Sequence, residues 1–264
     1  MSNIEKVVKQ AISTFSIPQC FNKFQENLSN LMQNTNNLTL NDVYFDKKFL
    51  KIQNRYSGNP NPILYIRIFE DVNILVSVFV LKSNSVIPTH NHPLMHGILK
   101  VLSGSVRIQS YSVRGNSIKK HDINKFCLPS EYYFAEADLY TNPIKVKKNT
   151  PLILSESDSC TLLTPIENNI HEVQSYNGPS VFMDILAPAY DTYVRGIGPR
   201  KCLYFNEENC SNTDYHLNYQ SLSKLAKTNM VKDHIIRRLP TFLSDLLPSS
   251  GTPKQLKYFI LYKK

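Results

Sequence analysis

The chain has 264 residues, enough for one large domain or two small ones with a buried core and too many for a disulfide-stapled miniprotein. With 42% hydrophobic, 11% aromatic and 19% charged residues it is too apolar to stay disordered. Lys and Arg exceed Asp and Glu by nine, a surplus that attracts anions in general. No zinc finger, basic helix or RNP-like aromatic motif accompanies the charge, so no nucleic-acid partner is expected. The longest apolar run, 72–81, is broken by Asn73 and Ser77 and is about half the ~20 residues of a spanning helix, so no membrane span is expected either. The segment MSNIEKVVKQ lacks the apolar stretch of a secretory signal, which leads us to expect a cytoplasmic or nuclear protein. Its five cysteines, without a CxxC pair, then read as thiols.

In chain order, Ile4, Val7, Val8, Ala11, Ile12 and Phe15 recur at helical spacing, and Phe21, Phe24, Leu28, Leu31 and Met32 do so again after Pro18. Two amphipathic helices are expected, followed by a polar linker over 34–40. From Pro62 the pattern becomes ILYIRIF, VNILVSVFVL, GILKVLS, SVRIQSYSV, TLLTPI, HEVQSY and SVFMDIL, short β-branched or aromatic segments separated by Gly, Pro, Asn and Ser. Many short strands with frequent turns mean an all-β sandwich or barrel, of which the jelly roll is one form. The strand pattern weakens over 206–219, 222–247 reads as partly helical, and LKYFILYKK reads as a strand. The expected organisation is helices over 1–40, a barrel over 41–205 and a C-terminal extension over 206–264 belonging to the same domain.

His90 and His92 flank Asn91 directly after Pro88 and Thr89, and on a strand residues i and i+2 project to one face. Two imidazoles so placed reach a common ion, and imidazole suits Fe, Zn, Ni or Cu. His171 is the best third ligand, because NIHEVQSY is a second strand-like segment that an antiparallel pairing can bring alongside. An HxH pair alone fits a solvent-facing strand equally well. The combination PTHNHP, a third histidine in a strand and an all-β context favours a metal site.

At these residues the sequence resembles a family. IPTHNHPLMHGILKVLSGSV is similar to the HxHP segment of cysteamine (2-aminoethanethiol) dioxygenases and plant cysteine oxidases, and NIHEVQ with FMDILAPAYD is similar to their downstream histidine and DILxPxYD segments. The resemblance implies a cupin, a jelly-roll-like double-stranded β-helix with N-terminal helices, holding one Fe(II) per chain through His90, His92 and His171. It implies a thiol dioxygenase that uses O2 on cysteamine or on peptides with an N-terminal cysteine; the chain is expected to be a monomer. By the same resemblance Asp184 orients the metal shell or the substrate amine, Tyr190 hydrogen-bonds near the oxygen or thiolate site, and Cys202 with Tyr204 forms a CxY pair able to support a thioether cross-link. Asn91 and Leu94 stand where these enzymes usually carry Asp and Gly, and His96 stands where many cupins place a Glu ligand. The alternatives on the same barrel are a zinc enzyme, since three histidines plus water is also a catalytic zinc set, and a non-catalytic binding cupin. His96, His121, His216 and His234 are expected to be structural or solvated, and Cys20, Cys127, Cys160 and Cys210 to be packing residues.

Overall fold

The computed structural model describes residues 1–18, 21–43, 45, 63–113, 144–194, 198–209 and 215–220. Expectations for 222–247, for LKYFILYKK and for Cys20, Cys127, Cys210, His121 and His234 lie outside them. The two helices form as the periodicity predicts: α1 is Asn3–Phe15 and α2 is Asn22–Asn36. Ser2 and Glu5 close a capping box that satisfies the first free amides of α1. The Thr14 hydroxyl lies 2.7 Å from the Gln10 carbonyl and 3.2 Å from the Asn27 carbonyl, against the flank of α2. The expected linker at 34–40 starts later than the sequence pattern suggests, because α2 continues through Asn36, whose side chain accepts from the Cys160 amide at 2.6 Å.

Twelve strands follow among the described residues: β1 Ile63–Glu70, β2 Leu75–Leu81, β3 Val86–Asn91, β4 His96–Val113, β5 Ile144–Lys148, β6 Leu152–Ser155, β7 Thr161–Leu163, β8 Ile170–Ala187, β9 Tyr193–Val194, β10 Gly198–Pro199, β11 Tyr204–Asn209 and β12 Tyr215–Gln220. GILKVLS and SVRIQSYSV are one strand of 18 residues, and HEVQSY and SVFMDIL are another. β4 and β8 run antiparallel from His96 opposite Ala187 to Tyr111 opposite Ile170, with register shifts around Gly104. Both bend there, Gly104 at φ 71° and Asn177 and Gly178 at φ 54° and 136°. The bend divides β8 between two layers: Ser180–Leu186 pairs with β2, and Ile170–Gln174 pairs with β3. Hydrogen-bonded pairings then lead from β8 through β3, β11, β12 and β5 to β4 and back to β8. This is the expected all-β cupin arrangement behind two N-terminal helices. β11 crosses the expected barrel limit at 205, and β12 adds a further strand beyond it.

Alternation along the bent strands sorts the core. Val76, Val78, Val80, Val181, Met183 and Ile185 face outward and are covered by Val7, Val8, Ala11, Phe24, Leu28 and Leu31 of the helices. Leu81, Leu99, Val101 and Phe182 face inward and meet Ile87, Val106, Ile108 and Val173 of the other layer. His171 shares the face of Val173, so the sheet pattern places it inward. The neighbouring positions Ile170, Leu203 and Phe205 belong to a separate cluster with Tyr111, Ile144, Val146 and Leu217.

Candidate metal centre

His90, the last residue but one of β3, lies directly opposite His171, the second residue of β8. His92 follows β3 by one residue, where the chain turns through Pro93 and Leu94 and the Met95 amide donates to the His92 carbonyl at 3.1 Å. Leu94 takes φ 56°, a conformation that costs an L-residue ~1–2 kcal/mol. Its side chain is buried, which offsets that strain. The three histidines are buried, with ring centroids 4.7–4.8 Å apart in every pair. One ligand atom from each lies within 4.8 Å of the others, and the Nε2 atoms of His92 and His171 are 3.1 Å apart.

Two tautomers are set by neighbouring carbonyls. Pro88 offers only an acceptor, so His90 Nδ1, 2.8 Å away, carries the hydrogen and Nε2 keeps its lone pair. The Tyr190 hydroxyl lies 2.7 Å from the Asn91 carbonyl and 2.8 Å from His92 Nδ1. Both contacts are satisfied when the hydroxyl donates to the carbonyl and its oxygen accepts from His92 Nδ1–H, which again leaves Nε2 bare. Burial pushes the His90 pKa down to about 4 and holds His92 and His171 well below the usual histidine range, with repulsion from neighbouring imidazoles adding to the effect. The cluster is therefore neutral and aims lone pairs inward. Two nitrogens sharing one ion at ~2.1 Å and about a right angle sit ~3 Å apart, the spacing found between His92 and His171, so the donor set fits a transition-metal ion.

Cys202 and Tyr204 lie against this cluster: Tyr204 pairs with His90 in register, their rings 6.0 Å apart, and the Cys202 thiol interacts with both Tyr190 and Tyr204. Burial pushes that thiol up to about 11. Asp184 sits on the inward face of β8, opposite Ser77 of β2 and Leu99 of β4. Burial raises its carboxyl to about 7, with the Ile185 amide opposing, and its charge also acts on Tyr190. Asp184 thus neighbours Tyr190, and among the described residues no hydrogen bond joins it to the three imidazoles. His96 points away from the centre, with its ring 5.9 Å from Phe15 and 5.6 Å from Phe24. Of the remaining sequence candidates, Cys160 is buried between the barrel and α2, its thiol 3.6 Å from the Met32 carbonyl.

Two asparagines hold the backbone at the site; from sequence Asn91 stands out only as a departure from the family pattern, and Asn169 has no assigned role. Asn91 accepts from the Leu203 amide through Oδ1 at 2.8 Å, and Asn169 accepts from the His92 amide through its carbonyl at 3.1 Å.

A family model described as PCO_ADO matches residues 30–241. The chain belongs to the PCO_ADO family. Among its relatives, human 2-aminoethanethiol dioxygenase is 35% identical over 176 residues, covering 64% of this chain and 62% of the human one. The mouse 2-aminoethanethiol dioxygenase is 31% identical over 201 residues, covering 72% and 75%. Plant cysteine oxidase 2 of Arabidopsis thaliana is 30% identical over 87 residues, about a third of each chain. The chain thus spans less than two thirds of the human relative's length, and its PCO_ADO match includes all three histidines and the Asp184 to Tyr204 segment.

Proposed function

We propose that this protein is a non-haem Fe(II) thiol dioxygenase that converts cysteamine, or the N-terminal cysteine of a peptide, with O2 to the sulfinic acid. The observation that carries the reading is the convergence of three buried, neutral histidines, two of which have their Nδ1 engaged so that a bare Nε2 faces the cluster. Bound ferrous iron supplies Lewis acidity toward a thiol and a path for electrons from sulfur to oxygen. Three neutral ligands leave the full dipositive charge at the site, which favours a thiolate over a thiol. Oxidation of a thiol to a sulfinic acid releases four electrons, the number that reduces one O2, and both oxygen atoms enter the product. No further reductant is required.

The chain's own residues hold this chemistry in place. Tyr190 and the Pro88 carbonyl fix two imidazole tautomers, and burial of the three rings keeps bulk water from them. Asp184, with its carboxyl raised by burial, is assigned to the substrate ammonium, a partner that favours the ionised form and makes a charge-assisted contact. Tyr204 and Cys202 line the centre beside His90 and Tyr190. We further assign one Fe(II) per chain, a monomer and a cytoplasmic or nuclear setting. Among the described residues no helix is long and apolar enough to cross a membrane.

The test is mass spectrometry of cysteamine and of a Cys-initiated peptide incubated in air with Fe(II)-loaded protein. A gain of two oxygen atoms is expected, together with no reaction of the N-acetylated peptide. Equal turnover of free and acetylated peptides removes the role given to Asp184. Absence of any oxygenated product removes the enzyme reading, leaving a binding cupin. The all-nitrogen donor set also suits zinc, and metal analysis of anaerobically purified protein separates zinc from iron.

A further inference from the structure

Asn91 lies between two of the three candidate ligands, yet its amide, its carbonyl and its Oδ1 are all engaged by other residues. Its amide donates to the Leu203 carbonyl at 3.1 Å, its Oδ1 accepts from the Leu203 amide at 2.8 Å, and its carbonyl accepts from the Tyr190 hydroxyl at 2.7 Å. Leu203 is buried with Tyr111, Ile170, Phe205 and Leu217, so its amide has no water to turn to. The two residues beside it are Cys202 and Tyr204. β11 meets β3 in register only at Tyr204 opposite His90, and the Asn91–Leu203 bracket extends that short ladder by side-chain means.

We propose that Asn91 is a positioning residue whose side-chain amide fixes Cys202 in place next to Tyr204 at the histidine pair. Its functional meaning rests on the reading of the metal centre above, but its test involves neither metal nor turnover. Without Oδ1 the Leu203 amide is a buried donor lacking an acceptor, a state that opens the segment locally. The rest of β11 stays paired to β12 from Tyr204 opposite Gln220 to Asn209 opposite Tyr215. The opening is therefore confined to the stretch that carries the Cys202 thiol.

The full-length, metal-free protein contains its own control. Cys160, like Cys202, is a thiol raised to about 11 by burial, but it sits under α2 on the other side of the barrel wall. Pulse alkylation with iodoacetamide followed by peptide mass spectrometry reads both. In Asn91→Ala, Cys202 is expected to react about tenfold faster than in the wild type, with Cys160 unchanged. In Asn91→Asp, where a carboxylate oxygen accepts the same amide hydrogen, Cys202 protection is expected to return. A Cys202 rate unaltered in Asn91→Ala, a parallel rise at Cys160, or an Asn91→Asp protein as reactive as Asn91→Ala overturns the proposal. Should Asn91→Ala fail to fold, hydrogen exchange on the wild type decides: a protected Leu203 amide supports the bracket, and exchange at the free-peptide rate refutes it.

Discussion

His171 and His96 are both buried imidazoles, and they serve opposite sides of the wall. Conversion of His171 to Ala takes one of three nitrogens from the centre, so the purified variant should lose most of its iron and all sulfinate formation. His96→Ala should keep its iron and lose activity only in part, because that ring packs on Phe15 and Phe24. Metal analysis of the two variants checks this, and the reverse pattern would displace the centre. His96 also predicts an acid response. Its pKa is about 4 in the fold against ~6.5 in an unfolded chain. Between those values the unfolded chain binds the extra proton, so the contribution is complete above pH ~6.5 and is lost by ~1.4 kcal/mol per pH unit as pH falls toward 4. Urea unfolding of His96→Leu at pH 7, 6 and 5 should show a shallower decline than the wild type; equal slopes would mean His96 charges freely in the fold. The His90–His92 pair was legible because i, i+2 spacing on a strand is local. The tie from Tyr190 to His92 was not, since it forms only when the chain after β8 folds back on residues 98 positions earlier.

At the scale of elements, the sequence pattern locates the strands and misjudges where they stop. Gly104 and Asn177–Gly178 look like turns because they are turn-forming residues. In the fold each is a bend inside an 18-residue strand, and the hydrogen-bond ladder continues past it. β11 escaped because NEEN lacks apolar alternation, and β12 because its alternation of Tyr215, Leu217 and Tyr219 with polar residues is a short run in a polar stretch; both are held by pairing on each side. The two glycines differ in what they tolerate. A Cβ at Gly104 would stand 2.4 Å from the Pro179 carbonyl oxygen, whereas one at Gly178 meets nothing within 4 Å. Gly178→Ala should therefore show only the backbone penalty of ~1–3 kcal/mol. Gly104→Ala adds a clash with main chain on β8 and should lower the melting temperature by clearly more than the ~2–12 °C that this penalty implies. Thermal denaturation of the pair checks it, and equal shifts would deny the close approach of the bent strands.

At the scale of the molecule, the fold class was readable from the density of short strands, and the helices from their spacing, because both signals are repeated many times along the chain. What no local pattern contains is the meeting of His92 with His171 across 79 positions. That separation governs the order of events when the chain folds. A donor set drawn from the end of β3 and the start of β8 does not exist until those strands are paired, and pairings of such long range form late and slowly. An ion present during refolding finds only the local His90–His92 couple until the slow step is over. Iron is therefore expected to act on the way out rather than on the way in: under anaerobic stopped-flow conditions Fe(II) should leave the refolding rate nearly unchanged and slow unfolding, since its contacts are absent from the transition state. The His171→Ala protein should unfold at one rate with or without the ion. An equal acceleration of refolding by Fe(II) would instead place the β3–β8 pairing in the folding nucleus. The centre then works as a latch that closes after the barrel is built, so the lifetime of the folded chain follows the supply of metal even where the speed of its making does not.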